Sequence, residues 1–76
     1  MKELIEFLAK SLVDDVDAVH AHTFDRGDQT VIELEVAQPD LGKVIGRQGR
    51  TARALRTLLA AAGQKTRRRY VLDIVD

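Results

Sequence analysis

Leu4, Leu8 and Leu12 recur every four residues with Ile5 beside them, while Glu3, Glu6 and Lys10 take other positions on the wheel; this spacing predicts an amphipathic helix over residues 2–13. Asp14 and Asp15 break the pattern. From Val16 to Phe24 the chain alternates loosely, with His20, His22 and Phe24 on one side and Val19 and Ala21 on the other, which predicts a strand. Asp25-Arg26-Gly27-Asp28 is turn chemistry, because glycine accepts the positive φ of hairpin loops and aspartate bonds to nearby amides. The following run, Thr30 to Ala37, sets Ile32, Leu34 and Val36 against Glu33 and Glu35, the period of a half-buried strand.

Pro39 closes that strand, and Asp40 is placed to cap a short helix in which Leu41, Val44 and Ile45 share a face and which Gly46 stops. A longer helix is expected after Gly49 to about Ala62, its apolar stripe formed by Leu55, Leu58, Leu59 and Ala62, with Gly63 as C-terminal cap. Tyr70, Leu72 and Ile74 then alternate with Val71, Asp73 and Val75 in a last strand. No repeat or linker interrupts this order. The expectation is a single α+β domain over 1–76, with a helix and hairpin in 1–38 and two helices and a strand in 39–76, in which three helices cover one face of a three-stranded sheet.

Composition narrows the class. A chain of 76 residues without cysteine has no disulfide and no thiolate metal site to reinforce a small core, so self-association is expected to help stabilise it. Charged residues interrupt the N-terminal apolar run, which therefore suits neither a signal peptide nor a membrane span; a cytoplasmic location and no membrane partner are expected.

Formal charge is zero, with twelve basic and twelve acidic side chains, yet the distribution is split. From Leu41 to Leu72 there are nine basic residues and no acid, and all twelve acids lie outside that span. Such a split creates a local positive field that the net figure hides. Inside it stands Val44-Ile45-Gly46-Arg47-Gln48-Gly49, between the two expected helices. Glycines there permit a tight turn and let a polyanion approach the main chain, and the helix that begins at once turns its free amides and positive dipole end toward a phosphate. Arg50, Arg53 and Arg56 continue the positive charge on the helix side expected to face solvent.

A Gly-x-x-Gly between two helices flanked by strands resembles the signature of a KH domain, and the preceding helix and strand match its type II arrangement. Over nearly the whole chain, Gly42-Lys43-Val44-Ile45-Gly46-Arg47-Gln48-Gly49-Arg50-Thr51-Ala52 resembles the small bacterial KH proteins of the KhpA (YlqC-like) family. That resemblance implies binding of single-stranded RNA, with Gly46, Arg47, Gln48 and Gly49 clamping about four nucleotides. Lys43, Arg50 and Arg53 would surround the clamp, and Val44 and Ile45 would floor the groove that receives the bases. It further implies an RNA chaperone or post-transcriptional regulator with links to cell shape and envelope homeostasis, acting as a homodimer or with a second KH protein of the Jag (KhpB) type.

Other features have plainer readings. His20 and His22 share a strand face but no spacing supplies further ligands, so no metal or other cofactor is expected. Asp14 and Asp15 suit a turn. Nothing pairs a nucleophile with a base, so neither an enzyme nor a small-molecule substrate is expected. Lys65 to Arg69 is either a second contact strip or a charged edge that discourages sheet addition. Ala54 and Ala61 would let another backbone approach the second helix. The rival function is a protein-interaction module whose basic face docks an acidic partner, a second copy included.

Overall fold

The computed structural model describes residues 1–75; Asp76, the last residue of the expected domain, lies outside the described residues. Helix α1 spans Lys2–Lys10, strand β1 His20–Arg26, strand β2 Gln29–Glu35, helix α2 Leu41–Ile45, helix α3 Arg50–Thr66 and strand β3 Arg69–Val75. This is the expected order, α-β-β-α-α-β, and an α+β fold consistent with the type II KH arrangement. The sheet order is β1-β2-β3, with β1 antiparallel and β3 parallel to the central strand. A parallel pair cannot be joined by a hairpin, so the chain between β2 and β3 must cross over the sheet, and it does so as α2, a loop and α3.

Register divides the sheet cleanly. Ala21, Ile32 and Leu34 with Leu72 face the helices and join Ile5 and Ala9 of α1, Val44 of α2, and Leu55 and Leu59 of α3 in one core. The opposite face carries rows that cross all three strands, among them Phe24-Val31-Val71 and His22-Glu33-Asp73. In the first row Val31 is buried between half-shielded neighbours, so β2 reads as apolar on both sides at that point, as befits a central strand. His20 pairs with Glu35 and His22 with Glu33 in register.

Several boundaries depart from the expectations. Helix α1 ends at Lys10 rather than residue 13, and Leu12 and Val13 close its last turn by bonding to the Ala9 carbonyl. The expected Val16–Phe24 strand is a 3-10 turn over Val16–Ala18 followed by a strand that begins at His20 and runs to Arg26, so the hairpin turn shrinks to Gly27 and Asp28. The Ala21 amide donates to Glu6 Oε2 at 3.2 Å, which ties the start of this edge strand to α1. Strand β2 stops at Glu35, before Val36 and Ala37.

Helix α3 does not stop at Ala62; it continues through Gly63 to Thr66. Its end is capped by Arg67, whose backbone is left-handed (φ 58), and by the Arg68 amide, which donates to the Gly63 carbonyl at 2.9 Å. Gly63 is needed as a point of close approach instead, since a Cβ there would collide with the Arg68 carbonyl oxygen, whose carbon would lie 3.4 Å away. The stripe also shifts: Ala52, Leu55, Leu59 and Gly63 are buried, while Leu58 is 42% exposed. Gly63→Ala is expected to destabilise the protein by about 1–3 kcal/mol, the usual cost of overpacking, measured as a lower urea midpoint with unchanged slope.

Candidate nucleic-acid interface

The Gly-x-x-Gly loop is a left-handed kink between two right-handed helices. Gly46 ends α2 at φ 80, Arg47–Gly49 form a 3-10 turn, and within it Gln48 (φ 58) and Gly49 (φ 74) are both left-handed. The Gly46 amide donates to the Gly42 carbonyl at 2.8 Å and the Gly49 amide to the Gly46 carbonyl at 3.0 Å, so the turn is closed on itself. The two glycines serve different needs. A Cβ on Gly46 would stand 2.7 Å from Thr51 Cβ and 2.8 Å from its nitrogen, whereas one on Gly49 would meet nothing within 4 Å. Gly46 therefore lets the loop fold onto the first turn of α3, and Gly49 only supplies the backbone angle.

The basic residues divide into free and engaged. Arg47, Arg50 and Arg53 surround the loop and form no ion pair among the described residues; Arg50 donates to the Gln48 side-chain oxygen at 3.2 Å. Arg53 and Arg56 are exposed on α3. Arg56 reaches the Leu72 carbonyl of β3 at 3.4 Å, which shows that this side of the helix faces the outer edge of the strand. Lys43, expected beside the clamp, is instead paired with Asp14 and lies 3.6 Å from Asp40. Arg68 and Arg69 are drawn toward Asp25 (3.5 Å) and Asp28 (3.9 Å). Folding thus brings acids from outside the basic span against three of its nine cations.

Of the expected groove floor, Val44 has no exposed surface and belongs to the core, because the helix-facing side of the sheet needs an apolar contact from so short a helix. Ile45 is 40% exposed and is the one of the pair that a ligand can touch.

Sequence reasoning missed the role of Asp40. It makes no side-chain bond to the amides of α2; its Oδ2 accepts the Asp15 amide at 3.1 Å, and the residue is 3% exposed. The Asp15 amide above all, with the Asp14 amide and the Lys43 charge, holds this carboxyl below its ordinary value of 3.8 against the opposing effect of burial. Hydrogen bonding to Asp14 first, then its charge, correspondingly raises Lys43 above 10.5. Asp14, Asp15, Asp40 and Lys43 together tie the α1–β1 connection to the root of the loop. The paired aspartates after an apolar helix were the available signal, but nothing local said that their amides would be met from 25 residues away.

A group whose folded pKa is depressed stabilises the fold above its unfolded pKa and loses that contribution as pH falls through the folded one. Asp40→Asn is therefore expected to lower the urea midpoint at neutral pH, with the gap from the unsubstituted protein narrowing below pH 3.8. In the loop, Gly49→Ala is expected to cost about 1 kcal/mol of left-handed strain, and Gly46→Ala more, since Thr51 must also move; equilibrium unfolding of the two variants compares them directly.

The model of the KhpA/KhpB KH domain family matches residues 2–74. An RNA-binding protein KhpA of Borreliella burgdorferi is 54% identical over 74 residues, covering 97% of this chain and 90% of its own. Those of Halalkalibacterium halodurans (51% identical, 100% of both chains) and Aquifex aeolicus (49%, 100% of this chain and 96% of its own) are similar over the same extent. No solved structure gives a significant match.

Proposed function

This chain belongs to the KhpA/KhpB family of KH domains, and on that premise we propose that it is an RNA-binding protein that holds single-stranded RNA with the Gly46–Gly49 loop. The observation that carries the reading is the loop itself: a closed turn, open to solvent at Gly49 and edged by Arg47, Arg50 and Arg53 with no acid paired to them among the described residues. Phosphates pack against the main chain where no Cβ intervenes, and the arginines add charge-assisted contacts that position the backbone without reading sequence. Bases then turn toward the apolar side, where Ile45 is exposed.

Lys43 enters this reading in a changed part. Its ammonium is engaged with Asp14 and Asp40, so it positions α2 and the loop above it, and a phosphate would have to compete with two carboxylates for it. Family likeness supports a chaperone or post-transcriptional regulator in the cytoplasm, working with a second KH chain, its own copy or a KhpB-type partner, in cell-shape and envelope homeostasis. A second contact surface brought by such a partner would add avidity to a clamp that engages only a few nucleotides.

Fluorescence anisotropy with short single-stranded RNAs tests the clamp. Replacing Arg47 and Gln48 together by Asp is expected to weaken binding by at least about tenfold, charge-assisted contacts each being worth about 1.5–3 kcal/mol. Unchanged affinity in a variant that keeps the wild-type unfolding midpoint would remove the loop from the binding site.

A further inference from the structure

Helices cover one side of the sheet only. The other side presents rows that cross all three strands: His20-Glu35-Val75, His22-Glu33-Asp73, Phe24-Val31-Val71 and Arg26-Gln29-Arg69. Their chemistry changes from one end to the other. Three carboxylates, Glu33, Glu35 and Asp73, gather toward the end of β2 and form no ion pair among the described residues. The row of Phe24, Val31 and Val71 is apolar. At the hairpin end stand two guanidiniums, that of Arg26 5.6 Å from the centre of the Phe24 ring and that of Arg69 3.9 Å from Asp28.

This face is a trough. Val31 on the central strand is 2% exposed, while Phe24 and Val71, its partners on the edge strands, are 39% and 37% exposed. Gln29 and Glu33 are likewise half-buried between exposed neighbours. The edges therefore stand above the middle along most of β2, so a convex occupant reaches Val31, whereas a second flat sheet would meet the edges first. Strands of seven residues run about 23 Å, and three of them about 4.8 Å apart span about 10 Å between the outer axes. Those dimensions fit one α-helix, about 10–12 Å in diameter, along about 15 of its residues.

Charge narrows the occupant further. A nucleic-acid strand would lay phosphates over three uncompensated carboxylates, which repel them. A helix with Lys or Arg toward one end and Asp or Glu toward the other matches both ends of the trough, and its apolar stripe matches the middle. The macrodipole favours its N-terminus over the carboxylates.

We infer that the outer face of the sheet is a docking site for one amphipathic α-helix of another protein, about four turns long, basic where it lies over Glu33, Glu35 and Asp73 and acidic where it lies over Arg26 and Arg69. The site is across the sheet from α2, α3 and the loop between them, so the inference does not rest on the RNA clamp, and a docked helix leaves that clamp free.

Two stapled peptides of about 15 residues, with the same composition and the same leucine stripe, serve as probes. In one the lysines fill the first half of the polar face and the glutamates the second; in the other they alternate. Titration of the full chain with each, followed in ¹H–¹⁵N correlation spectra, gives affinity and location together. The polarised peptide is expected to bind at least about threefold more tightly, the order of a few exposed ion pairs, and to shift the amides of Phe24, Val31 and Val71. Val71→Asp sets a charge under the peptide's stripe and is expected to weaken binding at least about tenfold. Glu33→Lys together with Asp73→Lys is expected to erase the preference between the peptides.

No binding of the polarised peptide, equal binding of the two, binding that survives Val71→Asp, a preference that survives the double lysine variant, or shifts confined to α1 or α3 would each overturn the inference. So would shifts of the same three amides on raising protein concentration alone, which would assign the face to a second copy, or on adding oligo(U) RNA, which would assign it to nucleic acid. Should Val71→Asp not keep the dispersed spectrum of the folded chain, Phe24→Gln on the exposed edge of the same row takes its place.

Discussion

The parallel pairing of β2 with β3 is the constraint from which the rest of this protein follows. Residues 29–35 lie beside residues 69–75 in register, and a chain that must return to run in the same direction needs a crossover long enough to climb over the sheet. Here the crossover is α2, the glycine loop and α3. The loop is thus the bend in the connection, forced to reverse the chain at the end of the sheet where β2 and β3 both finish. Its position at an exposed rim is a result of topology before it is a result of chemistry.

Two packing devices keep that bend from being loose. Gly46 and Thr51 meet so closely that no side chain fits between them, which fixes the loop against the first turn of α3. On the other side, the buried Asp40 carboxylate and Lys43 fasten the start of α2 to residues 14 and 15, so the N-terminal helix and hairpin brace a loop they do not contribute to. Preorganisation of this kind lowers the ordering cost of binding a flexible strand.

Much of this was legible in the residues and some was not. Alternation in Thr30 to Ala37 and the four-residue apolar spacing of α1 told strand from helix, although the buried face of α1 is Ile5 and Ala9, with Leu4 and Leu12 exposed, and Val31 is buried on the far face of β2. The loop was legible because glycine, arginine and a helix start coincide. One boundary was missed where a distant group met a local one: the Arg68 carbonyl made Gly63 a contact point inside α3 instead of its end. Val44 was misplaced because the apolar positions of a five-residue helix do not reveal which one turns inward. The charge split was real along the chain but partly closed in space, since Asp14, Asp25 and Asp28 fold back on Lys43, Arg68 and Arg69.

Gln48 and Arg67 share an oddity that reaches beyond binding. Both are ordinary side chains on left-handed backbone, at the two ends of the same helix, where glycine would relieve strain. Glycine at both positions would relieve that strain, and it would remove a polar side chain from each end of α3. Backbone strain and surface chemistry are therefore set by the same two residues, one at each end of α3.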